Sequence, residues 1–364
     1  MKGKKTALIH DWLIHPGGAE KLLHCIQEIF PGKVHALLHD PKTSPTWLNV
    51  HTSFLQKLPK STLYYPYLLP FFPLAIEGFD LREYNLILSS SHAVAKGVLT
   101  TGKQLHICYC HTPMRYAWDL YFDYLEPLGF CKKMMAQRAL HRIRLWDVSS
   151  SSRVDHFLAN SQHVARRIQK TYGREATVIY PPVDTSCFTL KKKEEFYLTV
   201  SRLVPYKKID LLVEAFSHML DKRLLVVGDG PEKQKIQNKA TKNIEFLGHV
   251  DDETVHHLMS SAKGFLFAAK EDFGLAPVES MASGTPVIAF GEGGALETIV
   301  DGVTGVFFNE QTVFSICQAI QKFETLYDQF VPETIQAHAQ KFCKERFQRE
   351  YQAFVEEAWS AFQR

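Results

Sequence analysis

The sequence predicts an α/β protein of two doubly wound domains that face each other across a cleft. Short apolar runs alternate with helical patterns along all 364 residues, a length that suits two domains. The runs are mostly apolar rather than alternating, as in parallel strands that helices cover on both faces. The charged, proline-containing segment YPPVDTSCFTLKKKEE (180–195) separates two halves of similar rhythm.

Each half is expected to contain six strands. In the first half they are expected at 6–10, 34–38, 86–90, 105–110, 156–159 and 176–180. In the second half they are expected at 196–200, 223–227, 244–247, 263–268, 286–290 and 304–308. One helix is expected to begin after Ser161 and to end at Gly173, and another covers 209–220.

These elements give a domain plan. We expect an N-terminal domain over 1–180 and a C-terminal domain over 181–344. The last helix, about 345–364, is expected to pack back on the first domain.

Composition and charge indicate which partners and which cellular compartment suit this protein. Residues 1–180 contain 22 Lys and Arg against 13 Asp and Glu, a net charge of +9, and the remainder carries −6. The N-terminal half therefore suits an anionic partner. The seven cysteines lack zinc-site spacing and are expected to be reduced thiols of a cytosolic protein. No apolar run is long enough to predict a signal peptide or a transmembrane helix.

In the first half, two candidate sites follow expected strands. Gly17 and Gly18, in HDWLIHPGGAEKLL, precede a helix whose N-terminal amides suit a phosphate; the alternative is an ordinary Gly-Gly turn. The segment is not the GxGxxG fingerprint, so a dehydrogenase is not supported. His111 lies in a turn before Pro113 and is either functional or a structural hydrogen-bonding residue.

In the second half, SRLVPYKKID follows a strand with Arg202 and Lys207 on either side of a proline turn. Together they could bind a diphosphate, Arg through its fork and Lys as a point charge, or they could be a solvated pair. GDGPE (228–232) and GHV (248–250) follow the next two strands. These loops could shape a nucleobase pocket or could be plain turns.

The segment EDFGLAPVES (271–280) places Glu271 in a loop and Glu279 in the first turn of a helix that contains Pro277. The amides of Phe273, Gly274 and Leu275 can point at an oxygen-rich ligand. Two carboxylates accept hydrogen bonds from hydroxyls, so a sugar and a ribose are natural partners. An acidic residue in a first helical turn also suits the helix dipole, which is the alternative explanation for Glu279.

These motifs carry a resemblance. The Glu-x7-Glu motif EDFGLAPVE and the SMASGTPVIAFGEGGALETIVDGVTG that follows it, with SRLVPYKKID and GDGP in order, resemble the retaining glycosyltransferases of family 4 over nearly the full length. That resemblance implies the GT-B fold of two Rossmann-like domains. IHDWLIHPGGAEK, SSSHAVAKGV and ICYCHTPMRYAWDL resemble the WbaZ-type O-antigen mannosyltransferases, which use GDP-mannose and extend a lipid-linked sugar chain.

The resemblance also implies roles for individual residues. Gly17 and Gly18 approach the donor diphosphate, His111 contacts the transferred sugar, and Arg202 and Lys207 bind the diphosphate. His249 and Val250 lie beside the base, Glu271 binds hydroxyls of the donor sugar, and Glu279 binds the ribose. Family members usually have Gly after the lysine, whereas Lys208 stands here. Which of the two lysines points inward is therefore open, and Lys207 is the one that we expect.

The implied reaction is a hexosyl transfer with retention of configuration, independent of metal and without a cofactor. No covalent nucleophile of the two-carboxylate kind is placed, so a front-face displacement is expected. The alternatives are a family 4 transferase that uses a UDP- or dTDP-sugar, a GT-B sugar-nucleotide epimerase or phosphorylase, and a non-catalytic scaffold. A phosphorylase would show a lysine for pyridoxal phosphate, which nothing marks, and a scaffold would have lost Arg202, Lys207 or Glu271.

Two segments suggest peripheral contact with the inner face of the cytoplasmic membrane. Residues 54–79 are rich in aromatics and proline, and 130–146 carry Lys132, Lys133, Arg138, Arg142 and Arg144 among apolar residues. Such segments can lie on an anionic surface, or they can be a solvated helix and a core loop. Lipopolysaccharide or another surface polysaccharide is the expected product. Nucleic acid is not an expected partner.

Overall fold

The computed structural model describes residues 4–15, 17–42 and 49–364. The chain divides into two compact units. The first unit extends to Pro182 and also contains Phe347–Arg364, and the second unit is Val183–Arg346.

The first unit contains a seven-stranded parallel sheet of order β3-β2-β1-β4-β5-β6-β7. Its strands are β1 Thr6–His10, β2 Lys33–Ala36, β3 Val50–Thr52, β4 Leu86–Ser91, β5 Leu105–Cys110, β6 His156–Ala159 and β7 Ala176–Val178. Its helices are α1 Gly18–Ile29, α2 Ser61–Tyr64, α3 Phe72–Glu77, α4 Tyr121–Leu125, α5 Phe130–Ser150 and α6 Gln162–Tyr172.

The second unit contains a six-stranded parallel sheet of order β10-β9-β8-β11-β12-β13. Its strands are β8 Glu194–Val200, β9 Arg223–Val227, β10 Ile244–Gly248, β11 Ala262–Phe267, β12 Val287–Phe290 and β13 Gly305–Phe308. Its helices are α7 Ile209–Ser217, α8 Lys233–Gln237, α9 Asp252–Ser261, α10 Leu275–Ala282, α11 Ala295–Thr298, α12 Val313–Leu326 and α13 Pro332–Ala339.

The last helix, α14 Lys344–Phe362, belongs to the first unit from Phe347 onward. Phe347, Tyr351 and Val355 are fully buried in the same apolar cluster as α1 and the strands β1, β4 and β5. The Tyr109 ring lies 5.9 Å from the Phe347 ring, and its hydroxyl donates to the Ile179 carbonyl over 2.8 Å. The C-terminal segment therefore completes the core of the first unit.

The observed sheets confirm the two doubly wound domains and all twelve expected strands. The additional strand, β3, is three residues long and only partly buried, so it lacks the apolar run on which the expectation depended. The ends of α6 are also confirmed. Ser161 Oγ accepts from the Val164 N–H over 3.1 Å, and Gly173 has a φ of 66°, which a residue without Cβ adopts readily.

Candidate functional site

The central feature of the second unit is an ion pair between Lys207 and Glu271. Lys207 ends a short 3₁₀ turn, Pro205–Lys207, beyond β8, and Glu271 follows β11. Because β8 and β11 are parallel neighbours, the loops at their carboxyl ends meet. The two side chains are only 17% and 19% exposed, so water screens the pair weakly.

Arg202 and Lys208 belong to the same loop as Lys207. Arg202 is exposed, and its Nη2 donates to the Tyr206 hydroxyl over 2.9 Å. Lys208 adopts a left-handed conformation, with a φ of 56°, which glycine adopts most readily. The backbone thus keeps the turn that glycine favours, and Lys207 is the lysine that contacts Glu271.

The main chain of Glu271 is fixed by a second loop, Gly291–Gly294. The Gly294 N–H donates to the Glu271 carbonyl over 2.8 Å. A Cβ at Gly293 would lie 2.3 Å from that same carbonyl oxygen, and one at Gly294 would lie 2.3 Å from Phe273 Cα. Both glycines are required for this close approach. The GEGG sequence therefore has a positioning role that the sequence analysis missed.

The rest of the EDFGLAPVES segment differs in one respect from expectation. Phe273 is buried against the Phe342 ring at 5.6 Å, and Gly274, with a φ of 86°, precedes α10. The helix begins at Leu275, so Glu279 is its fifth residue and lies beyond the first turn. The placement of Glu279 in the first turn was wrong, because Pro277 is tolerated at the third helical position, where its missing N–H would also be unpaired. A helix-dipole role for Glu279 is correspondingly disfavoured.

The glycines of the GDGPE loop have a structural explanation. A Cβ at Gly228 would lie 1.9 Å from the Ser201 carbonyl oxygen, and one at Gly230 would lie 2.4 Å from that of Leu203. These glycines let the loop after β9 pack on the loop that carries Arg202. Beyond β10, His249 is exposed and Val250 is half-buried, and their role beside a base stays a prediction.

In the first unit, His111 belongs to a hydrogen-bonded chain of side chains. His111 Nε2 lies 2.8 Å from Ser90 Oγ, and that oxygen lies 3.1 Å from His10 Nδ1. His10 Nε2 lies 3.7 Å from a carboxylate oxygen of Glu20. Burial, followed by the charges of His92 and His10, lowers the pKa of His111 to about 3. His111 is therefore neutral at physiological pH.

Asp11 organises the loop after β4 beside this chain. Its carboxylate accepts four backbone N–H groups, from His92, Ala93, Val94 and Ala95, over 2.6–3.0 Å. Burial alone would raise the pKa of Asp11, but His92, His10 and the N–H donors outweigh it and hold the pKa below its usual value. The charged form of this fully buried carboxyl is thus the stable one.

Gly17 and Gly18 lie at the N-terminus of α1, Gly17 as the capping residue and Gly18 as the first helical residue. A Cβ on Gly17 would lie 2.8 Å from Glu20 Oε2. The carboxylate of Glu20 is therefore close to the helix N-terminus that the sequence analysis assigned to a phosphate. Glycine at 17 leaves room for it.

The structure thus brings some expected residues together and adds others. Lys207 and Glu271 make direct contact, whereas Gly17, Gly18 and His111 belong to the other unit. Sequence reasoning did not select His10, Asp11, Glu20, Ser90 or His92. A signal was available for His10 and Asp11, because two polar residues directly follow the apolar part of β1 at its carboxyl end.

The surface of the first unit carries exposed apolar side chains in both segments considered for membrane contact. In and next to the 3₁₀ segment Tyr65–Phe71, the side chains of Leu63, Tyr67 and Leu74 are 63–80% exposed. In α5, Phe130 is 82% exposed and Met135 is 70% exposed. Polar and apolar residues are not segregated on α5, so it is not the amphipathic helix expected. Arg144 donates to the Ala117 carbonyl and packs over the Tyr121 ring. Lys132 and Lys133, in contrast, are exposed to solvent.

Two other features are absent from the part of the chain that the structure describes. Within the described ranges, no helix has the length and apolar content needed to cross a membrane. Nor do the described residues bring three or more His, Cys, Asp or Glu side chains together as a metal site. Independence of metal stays a prediction.

Two family models match the chain. Residues 33–186 match the model described as Glycosyltransferase Family 4, and residues 187–340 match Glycosyl transferases group 1. The two matches together cover most of the chain. Each half of the chain thus matches a glycosyltransferase model, and the two matches together support a glycosyltransferase of family 4.

Sequence relatives of the chain include a GDP-mannose-dependent monoacylated alpha-(1-6)-phosphatidylinositol monomannoside mannosyltransferase of Corynebacterium glutamicum. It is 31% identical over 40% of this chain and 47% of its own length. Another is the alpha-1,3/1,6-mannosyltransferase ALG2 of Dictyostelium discoideum, 25% identical over 67% and 68%. The chain spans about half the length of most of the curated relatives it matches.

A solved structure confirms the GT-B fold class. Anabaena Alr3699/HepE in complex with UDP and glucose superimposes with a TM-score of 0.74 at 19% identity, over 96% of this chain and 99% of the other. The expected fold of two Rossmann-like, parallel-sheet domains is therefore correct.

Proposed function

We propose that this protein is a retaining glycosyltransferase that transfers mannose from GDP-mannose to a lipid-linked glycan acceptor in the synthesis of O-antigen or another surface polysaccharide. The observation that carries the proposal is the contact between Lys207 and Glu271 at the carboxyl ends of β8 and β11. It joins a phosphate-binding cation to a hydroxyl-binding carboxylate, which are the two groups that a nucleotide sugar needs.

The chemistry of the leaving group accounts for the cations. When the bond between the sugar and the diphosphate breaks, negative charge grows on the leaving oxygen. Positively charged groups positioned at that oxygen stabilise the transition state more than the ground state. Lys207 is positioned by its loop, and Arg202 in the same loop offers a guanidinium to the second phosphate.

Glu271 is proposed to bind hydroxyls of the sugar that moves. Its backbone is held by Gly293 and Gly294, so its carboxylate has a defined position. Glu279, the fifth residue of α10, is proposed to bind the ribose. The part assigned to Gly17, Gly18, His111, His249 and Val250 rests on the family resemblance.

The choice of mannose and GDP is supported by the names of relatives. Those of Corynebacterium glutamicum and Mycolicibacterium smegmatis are GDP-mannose-dependent mannosyltransferases that act on phosphatidylinositol monomannosides. Their identity to this chain is 31% and 27%. The exposed basic and apolar side chains of α5 and the exposed apolar side chains of Tyr65–Phe71 support an acceptor attached to a lipid.

The test is a donor screen by thermal unfolding. GDP-mannose, UDP-glucose, UDP-N-acetylglucosamine and dTDP-rhamnose are each added to the wild type and to Lys207→Ala. A ligand at a hundred times its Kd stabilises the native state by about 2.7 kcal/mol. We expect GDP-mannose to stabilise the wild type and to stabilise Lys207→Ala much less. Stabilisation by UDP- or dTDP-sugars and not by GDP-sugars would refute the donor assignment.

A further inference from the structure

The hydrogen-bonded chain of the first unit runs across three neighbouring strands. His10 ends β1 and is paired in register with Ser90 of β4, and His111 directly follows β5. Ser90 Oγ contacts both histidines, at 3.1 Å from His10 Nδ1 and 2.8 Å from His111 Nε2. His10 and Ser90 are fully buried, so this contact is made away from bulk water.

A negative charge at one end of this hydrogen-bonded chain determines which of its groups donate protons and which accept them. Burial alone would raise the pKa of Glu20, but its contact with His10 and its own backbone N–H outweigh burial and hold the pKa below the usual value. The ionised carboxylate lies 3.7 Å from His10 Nε2, which is too long for a hydrogen bond but close enough to favour a proton on that nitrogen.

The protons of the remaining groups then follow in order. In the singly protonated form of His10 that has its proton on Nε2, Nδ1 is unprotonated and can only accept. Ser90 must therefore donate its hydroxyl proton to His10. Its oxygen is then an acceptor for His111, and this requires the proton of His111 to be on Nε2.

We propose that Glu20, through His10 and Ser90, fixes the tautomer of His111 so that Nδ1 is an acceptor for a hydroxyl of the donor sugar. This role rests on the proposed function. It makes Glu20, His10 and Ser90 positioning residues, whereas His111 is the residue that touches substrate. His111 in the other tautomer would present an N–H at Nδ1 and would accept no hydroxyl proton there.

Other groups around His111 fix its place but not its tautomer. Its backbone N–H donates to the Ser91 carbonyl over 2.8 Å, and its carbonyl accepts from Asn160 Nδ2 over 3.0 Å. The His92 and Tyr109 rings lie 6.3 Å and 5.3 Å from the His111 ring. His92 Nδ1 lies 3.1 Å from the Asp11 carboxylate, and this contact favours a His92 proton on Nδ1.

The test uses the full-length protein with ¹⁵N-labelled histidine, in which ring-nitrogen shifts report which nitrogen carries the proton. The His111 signals are assigned by their loss in His111→Gln. We expect an Nε2–H tautomer in the wild type and a mixture of tautomers in Ser90→Ala. Ser90→Thr, which keeps the hydroxyl, should restore the wild-type signals. Glu20→Gln should also release the preference, and Glu28→Gln, on the exposed part of the same helix, should not.

A proton on Nδ1 in the wild type, or no change in Ser90→Ala, would overturn the proposal. So would binding of GDP-mannose that leaves the Nδ1 shift of His111 where GDP alone leaves it. If no nucleotide sugar binds, the proposed function fails. The tautomer of His111 measured without ligand still tests the hydrogen-bonded chain by itself. The two failures are therefore distinguishable.

Discussion

Among single residues, Glu271 has two competing partners. Its carboxylate contacts Lys207, the cation that we assign to the diphosphate. A phosphate that approaches Lys207 therefore also approaches a negative charge. Hydroxyls of the sugar relieve this conflict because they donate to the carboxylate, whereas a nucleoside diphosphate without sugar brings no such donor.

We therefore predict that Glu271→Gln lowers turnover of the donor and binds GDP more tightly than the wild type. Two like charges about 4 Å apart repel by about 1 kcal/mol even in bulk water, so the gain in GDP affinity is at least about five-fold. Calorimetric titration of GDP measures it. Glu292→Gln, which removes an exposed carboxylate paired with Lys270, is the control and should change neither quantity. Weaker GDP binding by Glu271→Gln would contradict this account.

A second prediction concerns Asp11, whose pKa is lowered in the fold. A carboxyl with a folded pKa below its unfolded value stabilises the protein above the unfolded pKa, which is about 3.9 for Asp. That contribution is lost as the pH falls through the folded pKa. Asp11→Asn should therefore reduce the free energy of unfolding by about 1–3 kcal/mol at pH 7, and the difference from wild type should shrink below about pH 4.

Urea unfolding at several pH values measures this difference. The exposed Asp328→Asn is the control and should have almost no effect at any pH. A difference for Asp11→Asn that grows as the pH falls would show that the charged form of Asp11 does not stabilise the first unit.

Among the elements, the loop Gly291–Gly294 holds Glu271 in place. A comparison of two glycines, one inside this loop and one outside it, separates the effect of backbone strain from the effect of displacing Glu271. Gly293 and Gly302 have nearly equal φ values, 71° and 74°. A Cβ at Gly293 would lie 2.3 Å from the Glu271 carbonyl oxygen, whereas a Cβ at Gly302 would meet nothing within 4 Å. Only the first should disturb the site.

We predict that Gly302→Ala lowers the free energy of unfolding by about 1–2 kcal/mol, the usual cost of a left-handed non-glycine residue, and leaves turnover unchanged. Gly293→Ala should lower stability further. Because Gly293→Ala displaces Glu271, it should also lower turnover by about 10²-fold. Thermal melting and donor turnover of both variants make the comparison, and equal turnover in the two would remove the positioning role of the loop.

The strands and the site were predictable from sequence to different degrees. Twelve strands were predicted because buried parallel strands are continuous apolar runs. β3 was missed because Val50–Thr52 is short and only partly buried. The pairing of Lys207 with Glu271 could be anticipated from strand ends and motif. The chain through Ser90 could not, because His10 and Ser90 lie 80 positions apart and meet only through the register of β1 with β4.

On the scale of the whole molecule, charge and exposed apolar surface coincide in the first unit. Lys132, Lys133, Arg138 and Arg142 are exposed on α5 between exposed apolar residues. Anionic lipid attracts each such basic residue by about 1 kcal/mol. Replacing all four with glutamine should therefore strongly weaken binding to anionic liposomes at low salt.

Liposome co-sedimentation measures this binding. Replacing four exposed lysines of the second unit, Lys192, Lys235, Lys239 and Lys242, removes the same charge and should leave binding nearly unchanged. Wild-type protein that fails to sediment with anionic liposomes at low salt would exclude the surface role.

The central claim is that Lys207 and Arg202 stabilise a leaving diphosphate, and GDP release from GDP-mannose in the presence of EDTA tests it most directly. We predict that the wild type releases GDP without metal. Loss of one positioned charge-stabilising group commonly lowers the rate by about 10²–10³. Lys207→Ala and Arg202→Ala should each show such a loss, and Lys208→Ala should be close to wild type. Normal GDP release by both Lys207→Ala and Arg202→Ala, with all variants folded by thermal melting, would contradict the account.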